Sequence, residues 1–211
     1  MEKFHQLRSE KVLTTFHIKK IKNCEHLDEL LTGQTTLTSV EKAILDMALE
    51  RYEQTSDGWN EEELKMNFIS AILMVANPNI PSVCKIFFER PLSGVINNYV
   101  LYVKTDCFVA SYNEAGLPVK PYFFLQEFKK QKQNEDAEGQ MLLAMLIAQA
   151  DNNNQKPVYG CYLQGKNWVF TVLYAKNYCL SRQYDATRTD DLYQIIFILR
   201  ALKQTILTEL I

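Results

Sequence analysis

The segment that most constrains the fold is 121–140, where a strand rich in aromatic residues runs into the start of a helix. Glu127 and Lys129 stand two residues apart near the end of that strand pattern. Residues two apart on a strand point to the same face, so the carboxylate and the ammonium group lie side by side. The opposite face carries Phe124 and Phe128. Burying charge is costly unless the charge is paired or used, so this pair is the strongest indication of function in the chain.

The spacing of apolar residues predicts helices on both sides of a group of strands. Helical periodicity predicts helices over 40–54, 60–75, 135–150 and 192–207. Runs of strand-forming residues predict strands over 83–89, 106–112, 122–129, 158–163, 168–174 and 178–184, and 95–96, the turn-like Asn97-Asn98 and 99–103 together predict a hairpin. Because strands and helices do not alternate regularly, we expect an α/β fold with a mixed, largely antiparallel central sheet flanked by helices.

The length of 211 residues suits one sizeable core with some elaboration. We predict an N-terminal helical extension over 1–58 and a core over 59–211. Within the extension, 12–18 has the pattern of a short strand, and 26–31 has that of a helical turn. With only 7 Gly and 6 Pro, the composition argues against long disordered linkers.

The formal net charge of −2 excludes a strongly basic surface over the whole protein. Contact with nucleic acid would therefore depend on local patches, and the run of Lys129, Lys130 and Lys132 could either meet phosphates or be a solvated loop. The five cysteines are odd in number and lack CxxC spacing, which predicts a reducing, cytoplasmic environment without disulfides. No signal sequence or apolar span is present, so we expect no membrane partner.

Four motifs, taken in order, resemble those of the PD-(D/E)XK nuclease superfamily, which has the restriction-endonuclease-like fold. Glu127 and Lys129 correspond to the ExK of the third core strand, and Asp106 corresponds to the acid of the preceding strand. Gln140 corresponds to the glutamine of the following helix, and Glu61 to the acid of the first core helix. Within the superfamily, the chain is most similar to uncharacterised bacterial proteins with EFK at a strand end and EGQ at a helix start.

This resemblance covers roughly 60–175 and implies phosphodiester hydrolysis with one or two Mg²⁺ or Mn²⁺ ions. Asp106 and Glu127 would hold the metal, and Glu61 would support it or bind a second ion. Lys129 would orient or deprotonate the attacking water and stabilise the transition state. Gln140 would position the ExK strand or touch the nucleic acid. The expected substrate is DNA rather than RNA, and a homodimer would suit cleavage of both strands.

Several alternatives stay open at this level. Glu62 or Glu63 could replace Glu61, since all three lie in one helical turn and suit its dipole. A different register would put Asn98 in place of Asp106 and leave the metal without a ligand. The Glu127–Lys129 pair could also be a solvated ion pair at a strand end. The chain could then be a catalytically silent nuclease-fold protein that binds nucleic acid or protein.

Overall fold

The computed structural model describes residues 2–5, 7–129 and 136–211, and every structural statement below concerns these residues. The helices are α1 (Ser9–Thr15), α2 (Glu25–Leu31), α3 (Ser39–Thr55), α4 (Glu61–Leu64), α5 (Ser70–Ala76), α6 (Ala137–Asn152) and α7 (Thr189–Thr205). The strands are β1 (Glu2–Lys3), β2 (Lys19–Ile21), β3 (Cys84–Ile96), β4 (Tyr99–Tyr112), β5 (Pro118–Lys129), β6 (Val158–Gln164), β7 (Asn167–Tyr174), β8 (Asn177–Leu180) and β9 (Tyr184–Asp185).

Within the described residues the strands form one mixed sheet of nine strands, which confirms the predicted α/β class. Its main path runs β1-β4-β5-β6-β7-β8-β2, with β3 also paired to β4 and β9 to β7. The hairpin of β3 and β4 turns at Asn97 and Asn98, whose φ angles are 48° and 68°. Asparagine tolerates this left-handed backbone well, so the Asn-Asn pair specifies the turn.

Helices cover both faces of the sheet. Alternate residues of β4 belong to opposite cores: Val109 packs with α3, α5 and α7, whereas Phe108 packs with α1 and α6. Successive side chains of a strand point to opposite faces, so the two cores lie on opposite sides of the sheet. No helix of the described chain is long and apolar enough to cross a membrane.

The N-terminal region is not only helical, because β1 pairs with β4 and β2 pairs with β8. The predicted strand over 12–18 is wrong, since Ser9–Thr15 forms α1. Val12 and Phe16 lie four residues apart, and both are fully buried. A strand would place Thr14 on the same face as these two residues, whereas a helix turns it away, and Thr14 is exposed, which decides in favour of the helix.

A nearly continuous helical segment, 61–76, carries the first acid of the predicted site. Asn60 and Glu63 form a capping box at its start, with a hydrogen bond of 2.9 Å from the Glu63 N–H to Asn60 Oδ1. Between α4 and α5 the turn Lys65–Ile69 is π-helical. Such single π-turns often occur at functional sites. The first residues predicted for the next helix include Glu135, which lies outside the described residues; α6 begins at Ala137.

Candidate functional site

The candidate site lies at a fork between β4 and β5. Pairing between these antiparallel strands ends at Cys107 and Gln126. From there β5 continues beside β6 as far as Lys129. Asp106 and Glu127 are therefore the first residues beyond the last β4–β5 pair, on strands that begin to separate. A fork of this kind leaves room for charged side chains within an otherwise paired sheet.

A third acid, Glu89, lies in the same row across the sheet. The β3–β4 register includes Phe88 opposite Cys107 and Arg90 opposite Thr105, and omits Glu89 and Asp106 between them. Glu89 has a φ of 54°. A non-glycine residue in this region costs about 1–3 kcal/mol, and such residues gather at functional sites. Neighbouring strands thus contribute Glu89, Asp106 and Glu127 side by side.

Lys65 is the cation at the centre of this row. Its Nζ lies 2.6 Å from Asp106 Oδ1 and 3.1 Å from Glu89 Oε1. It also lies 3.1 Å from Glu61 Oε1 and 3.1 Å from Glu62 Oε1. The lysine therefore joins the helical segment 61–76 to β3 and β4 through charge-assisted hydrogen bonds.

The ExK pair predicted from the sequence is formed and buried. Lys129 Nζ lies 2.8 Å from Glu127 Oε1, and the side chains are 9% and 2% exposed. The same Nζ is 3.9 Å from Glu61 Oε2. A solvated pair at a strand end is thus excluded. Glu61 contacts both lysines and connects the ExK pair to the Lys65 cluster.

Asp106 is held by both sides of the fork. Its Oδ1 faces Lys65, and its Oδ2 accepts a hydrogen bond of 2.6 Å from the Phe128 N–H. The backbone amide belongs to the residue between the glutamate and the lysine of the ExK. Asp106 and the ExK strand are therefore fixed relative to each other, even though β4 and β5 no longer pair there.

The two central carboxyl groups are difficult to ionise. Burial raises the pKa of Glu127 to about 8. The negative charge of Asp106 also raises this pKa, whereas the nearby Lys129 lowers it. Burial also raises the pKa of Asp106, although the hydrogen bond from Lys65 opposes this effect. Glu127 Oε2 is buried and has no hydrogen-bond partner among the described residues. An added cation would therefore stabilise the charged form of Glu127.

The two lysines keep their charge. Burial alone lowers the pKa of Lys65, but the hydrogen bond and charge of Asp106 raise it above its ordinary value. Burial likewise lowers the pKa of Lys129, and the charge of Glu127 more than offsets this, so that its pKa is also raised. Lys129 is thus an ammonium group at neutral pH, suited to contact a phosphate oxygen rather than to act as a free base.

The donors of the cluster suit a hard divalent cation. The described ion pairs of the site contain five carboxylates and three lysines, a formal excess of two negative charges when all are ionised. Oxygen ligands are those that Mg²⁺ and Mn²⁺ prefer. The oxygens of Glu61, Asp106 and Glu127 are not gathered within 4.8 Å of one another. These residues could offer a smaller set of metal ligands, made up of two of the carboxylates and a backbone carbonyl.

A different group of possible ligands occurs elsewhere in the described chain. His26, Glu29 and Glu209 bring donor atoms within 4.8 Å of one another. This group shares no residue with the Asp106 cluster, and no pattern in the sequence predicted it.

The structure distinguishes between the residues considered for the acid of the first helix and for the acid of the strand before the ExK. Glu63 is used in the helix cap, and the Glu62 side chain is 72% exposed, whereas that of Glu61 is 23% exposed and faces both lysines. Asn98 lies in the β3–β4 turn just before β4 begins, whereas Asp106 lies in the middle of β4. Glu61 is therefore the helix acid that contacts both lysines, Glu62 contacts Lys65 alone from the solvent side, and Asp106 rather than Asn98 lies in the cluster.

Gln140 is not joined to the cluster by any hydrogen bond among the described residues. It lies in the first turn of α6, and its Oε1 is buried without a hydrogen-bond partner. A role in positioning the ExK strand stays a prediction. Lys130 and Lys132 of the predicted basic run lie outside the described residues.

Two residues of the cluster, Lys65 and Glu89, were not predicted from the sequence. Lys65 could have been found, because it lies four residues after Glu61 and residues at this spacing share a helix face. Glu89 has no comparable signal. Its position depends on the backbone of β3 and on the register with β4, which only the tertiary structure provides.

Comparison with protein-family models finds no match, and no curated protein matches the chain by sequence. A proposal for function therefore depends on the chemistry of the site.

Proposed function

We propose that this protein has a restriction-endonuclease-like core and hydrolyses phosphodiester bonds in DNA with Mg²⁺ or Mn²⁺. The observation that carries the proposal is the meeting of Asp106, Glu127 and Lys129 at the fork of β4 and β5. Two buried carboxylates of raised pKa stand beside a buried ammonium group. A buried carboxyl group in a purely structural ion pair usually has hydrogen-bond partners for both of its oxygens. Carboxyl groups with shifted pKa values concentrate at functional sites.

Each residue has a chemical role in this proposal. Asp106 and Glu127 would supply oxygen ligands for the cation, and Glu61 would hold the two lysines from the helical side. Held by these residues, a cation would lower the pKa of a water ligand and neutralise charge on the phosphate. Lys129 would contact the phosphate oxygens and stabilise the negative charge that develops in the transition state. Lys65 would balance the carboxylates before the cation binds.

The order of the elements supports the proposed core. β3, β4 and β5 are antiparallel neighbours, and β6 is parallel to β5 after the crossover through α6. The helical segment 61–76 precedes β3 in the chain and brings an acid to the fork. The resemblance implies a helix with an acid, a strand with an acid, the ExK strand and then a helix with Gln140, and the elements that carry Glu61, Asp106, Glu127 and Gln140 follow one another in that order.

A second candidate function is a catalytically silent binding module, and one observation favours it. Lys65 Nζ lies only 2.6 Å from Asp106 Oδ1, where a divalent cation would need the same oxygen. A permanently bound ammonium group could replace the metal and leave a rigid scaffold. The second candidate predicts that Mg²⁺ and Mn²⁺ do not bind at this cluster.

The test is a cleavage assay with supercoiled and linear duplex DNA, single-stranded DNA and RNA. Wild type, Lys129→Ala and the surface control Lys11→Ala are compared with Mg²⁺, with Mn²⁺ and with EDTA. We expect wild type and Lys11→Ala to cleave DNA with metal, and Lys129→Ala to lose at least about 100-fold in rate. Equal cleavage by wild type and Lys129→Ala, or none by either, would contradict the hydrolase proposal.

The second candidate is tested by isothermal titration of the same proteins with Mn²⁺. Binding to wild type that disappears in Asp106→Asn supports the hydrolase. Absence of both metal binding and cleavage would favour the silent module.

A further inference from the structure

A second group of possible metal ligands lies where α2 meets the last helical turn, Ile206–Leu210. His26 and Glu29 belong to α2, and Glu209 belongs to the last turn. One donor atom of each side chain lies within 4.8 Å of the donor atoms of the other two. The fold therefore brings an imidazole and two carboxylates from distant parts of the chain to one point.

Packing of the core sets the spacing of the three residues. Each of them immediately precedes a leucine that is almost fully buried in the same core, namely Leu27, Leu30 and Leu210. His26 and Glu29 are also three residues apart on α2, so their side chains are neighbours on the helix surface. The three backbones are thus held close together by burial of the leucines and not by any bond among the donors themselves.

Two like charges meet in this group without a cation from the protein. Neither Glu29 nor Glu209 forms an ion pair or a side-chain hydrogen bond with any other residue that the structure describes. Burial raises the pKa of Tyr159, and the negative charges of Glu209 and Glu29 raise it further, so both carboxylates lie near this buried ring. Carboxylates that share a site repel each other. A divalent cation between them would turn this repulsion into attraction.

The imidazole decides which kind of cation suits the group. The His26 side chain is half-buried, and its ring meets that of Tyr174 edge-on, with centroids 4.9 Å apart. Its Nδ1 is buried without a hydrogen-bond partner in the described part of the chain, although buried polar atoms are usually satisfied. Imidazole nitrogen is a good ligand for Zn²⁺, whereas Mg²⁺ and Ca²⁺ prefer oxygen ligands alone. The donor set therefore fits a transition-metal ion.

We propose that His26, Glu29 and Glu209 bind Zn²⁺ or a similar divalent transition-metal ion, which ties the last helical turn to α2. Ligand atoms of a tetrahedral Zn²⁺ ion lie roughly 3.3–3.6 Å apart, because each is about 2.0–2.2 Å from the metal. Both glutamates are exposed, so small rotations of their side chains can close the present spacing. Three protein ligands leave one position for water. The site is independent of the proposed hydrolysis.

Isothermal titration with Zn²⁺ in excess Mg²⁺ tests this site, because Mg²⁺ competes only for sites made of oxygen ligands. His26→Ala removes the imidazole, and Glu209→Gln removes one charge while keeping the shape of the side chain. His5→Ala and Glu25→Gln are the matched controls, since both residues are exposed and lie outside the group. Asp106→Asn tests whether the ion binds at the fork of β4 and β5 instead.

We expect wild type to bind one Zn²⁺ ion per chain, and both controls and Asp106→Asn to bind it equally well. His26→Ala and Glu209→Gln should each weaken binding by at least about 10-fold, since even the loss of an outer partner of a metal ligand costs about 10–100-fold. Zn²⁺ should also raise the thermal unfolding temperature of wild type and of the controls, but not that of the two site variants. Circular dichroism without metal establishes that each variant is folded.

The thiols of Cys24 and Cys179 are hydrogen-bonded neighbours and offer Zn²⁺ a competing place. Cys24→Ser should therefore bind Zn²⁺ as wild type does. Loss of binding in Cys24→Ser would assign the ion to the thiols and overturn the proposal, and loss in Asp106→Asn alone would assign it to the fork. Equal binding by wild type, His26→Ala and Glu209→Gln, or no binding by wild type, would also overturn it. DNA cleavage in Mg²⁺ alone reports only on the hydrolase, so the two proposals can fail separately.

Discussion

Asp106 Oδ2 accepts a 2.6 Å hydrogen bond from the N–H of Phe128, across the point where β4 and β5 stop pairing. One carboxylate thus replaces the missing strand pairing and places Asp106 next to the ExK. The other oxygen of the same group binds Lys65. Stability and chemistry at the fork therefore both depend on the Asp106 side chain. Different substitutions of Asp106 should separate its effect on stability from its effect on activity.

Asp106→Ala should destabilise the protein by about 1–3 kcal/mol, because it leaves the buried Phe128 N–H without an acceptor. Asp106→Asn keeps an oxygen that can accept this bond and should cost less. Both variants lose the negative charge opposite Lys65, so both should lose metal-dependent activity. Urea unfolding with EDTA measures the free energies. Equal destabilisation by Ala and Asn would show that the Phe128 hydrogen bond contributes little.

The metal-free protein should become less stable as the pH rises from about 4.5 to 8. The pKa of Glu127 is raised from 4.5 to about 8, so the folded state prefers the protonated carboxyl group. This contribution is complete below the unfolded pKa and is lost as pH rises through the folded pKa, by at most about 1.4 kcal/mol per pH unit. Urea unfolding in EDTA across this range measures it.

Glu127→Gln is the matched variant for the pH prediction, since it cannot ionise. Its stability should vary less with pH between 4.5 and 8 than that of wild type. A smaller loss of stability with rising pH should remain in this variant, because the pKa of Asp106 is also raised. Glu53→Gln, at an exposed position of α3, should follow wild type. Parallel curves for wild type and Glu127→Gln would contradict the raised pKa of Glu127.

Mn²⁺ or Mg²⁺ should raise the thermal unfolding temperature of wild type at pH 8. A ligand present at about 100 times its Kd stabilises the folded state by about 2.7 kcal/mol. The effect should be larger at pH 8 than at pH 5, because the cation competes with the proton on Glu127. Scanning calorimetry measures it. Glu127→Gln and Asp106→Asn should respond much less, and an equal response would place the bound metal elsewhere.

Lys65→Ala should destabilise the protein by up to about 3–5 kcal/mol, because it leaves buried carboxyl groups without their cation. The Lys65 side chain is 13% exposed and pairs with Asp106, which is 9% exposed. Lys104→Ala is the control, because Lys104 is 56% exposed and pairs with Glu89 at the surface. Exposed pairs contribute about 0–1 kcal/mol. Similar losses for the two variants, measured by urea unfolding, would contradict a central role for Lys65.

Much of the secondary structure could be predicted from local patterns. The helical segment starting at residue 61, with its Asn60 cap, and the Asn97–Asn98 turn follow from side-chain spacing and turn chemistry. The strand over 12–18 was predicted wrongly, because a short apolar run is compatible with either period until its packing is known. Partners for the two N-terminal strands lie far away in sequence, at β4 and β8, and no local pattern indicates them.

The sequence by itself determined that Glu127 and Lys129 share one face of a strand and that Glu61 begins a helix, because both follow from local backbone periodicity. Only the tertiary structure decided that β4 and β5 part beside Asp106, that Glu89 joins the row, and that Lys65 lies between them. Those relationships depend on strand register and on the packing of a helix against a sheet. They are set by burial summed over the whole core, which no single segment encodes.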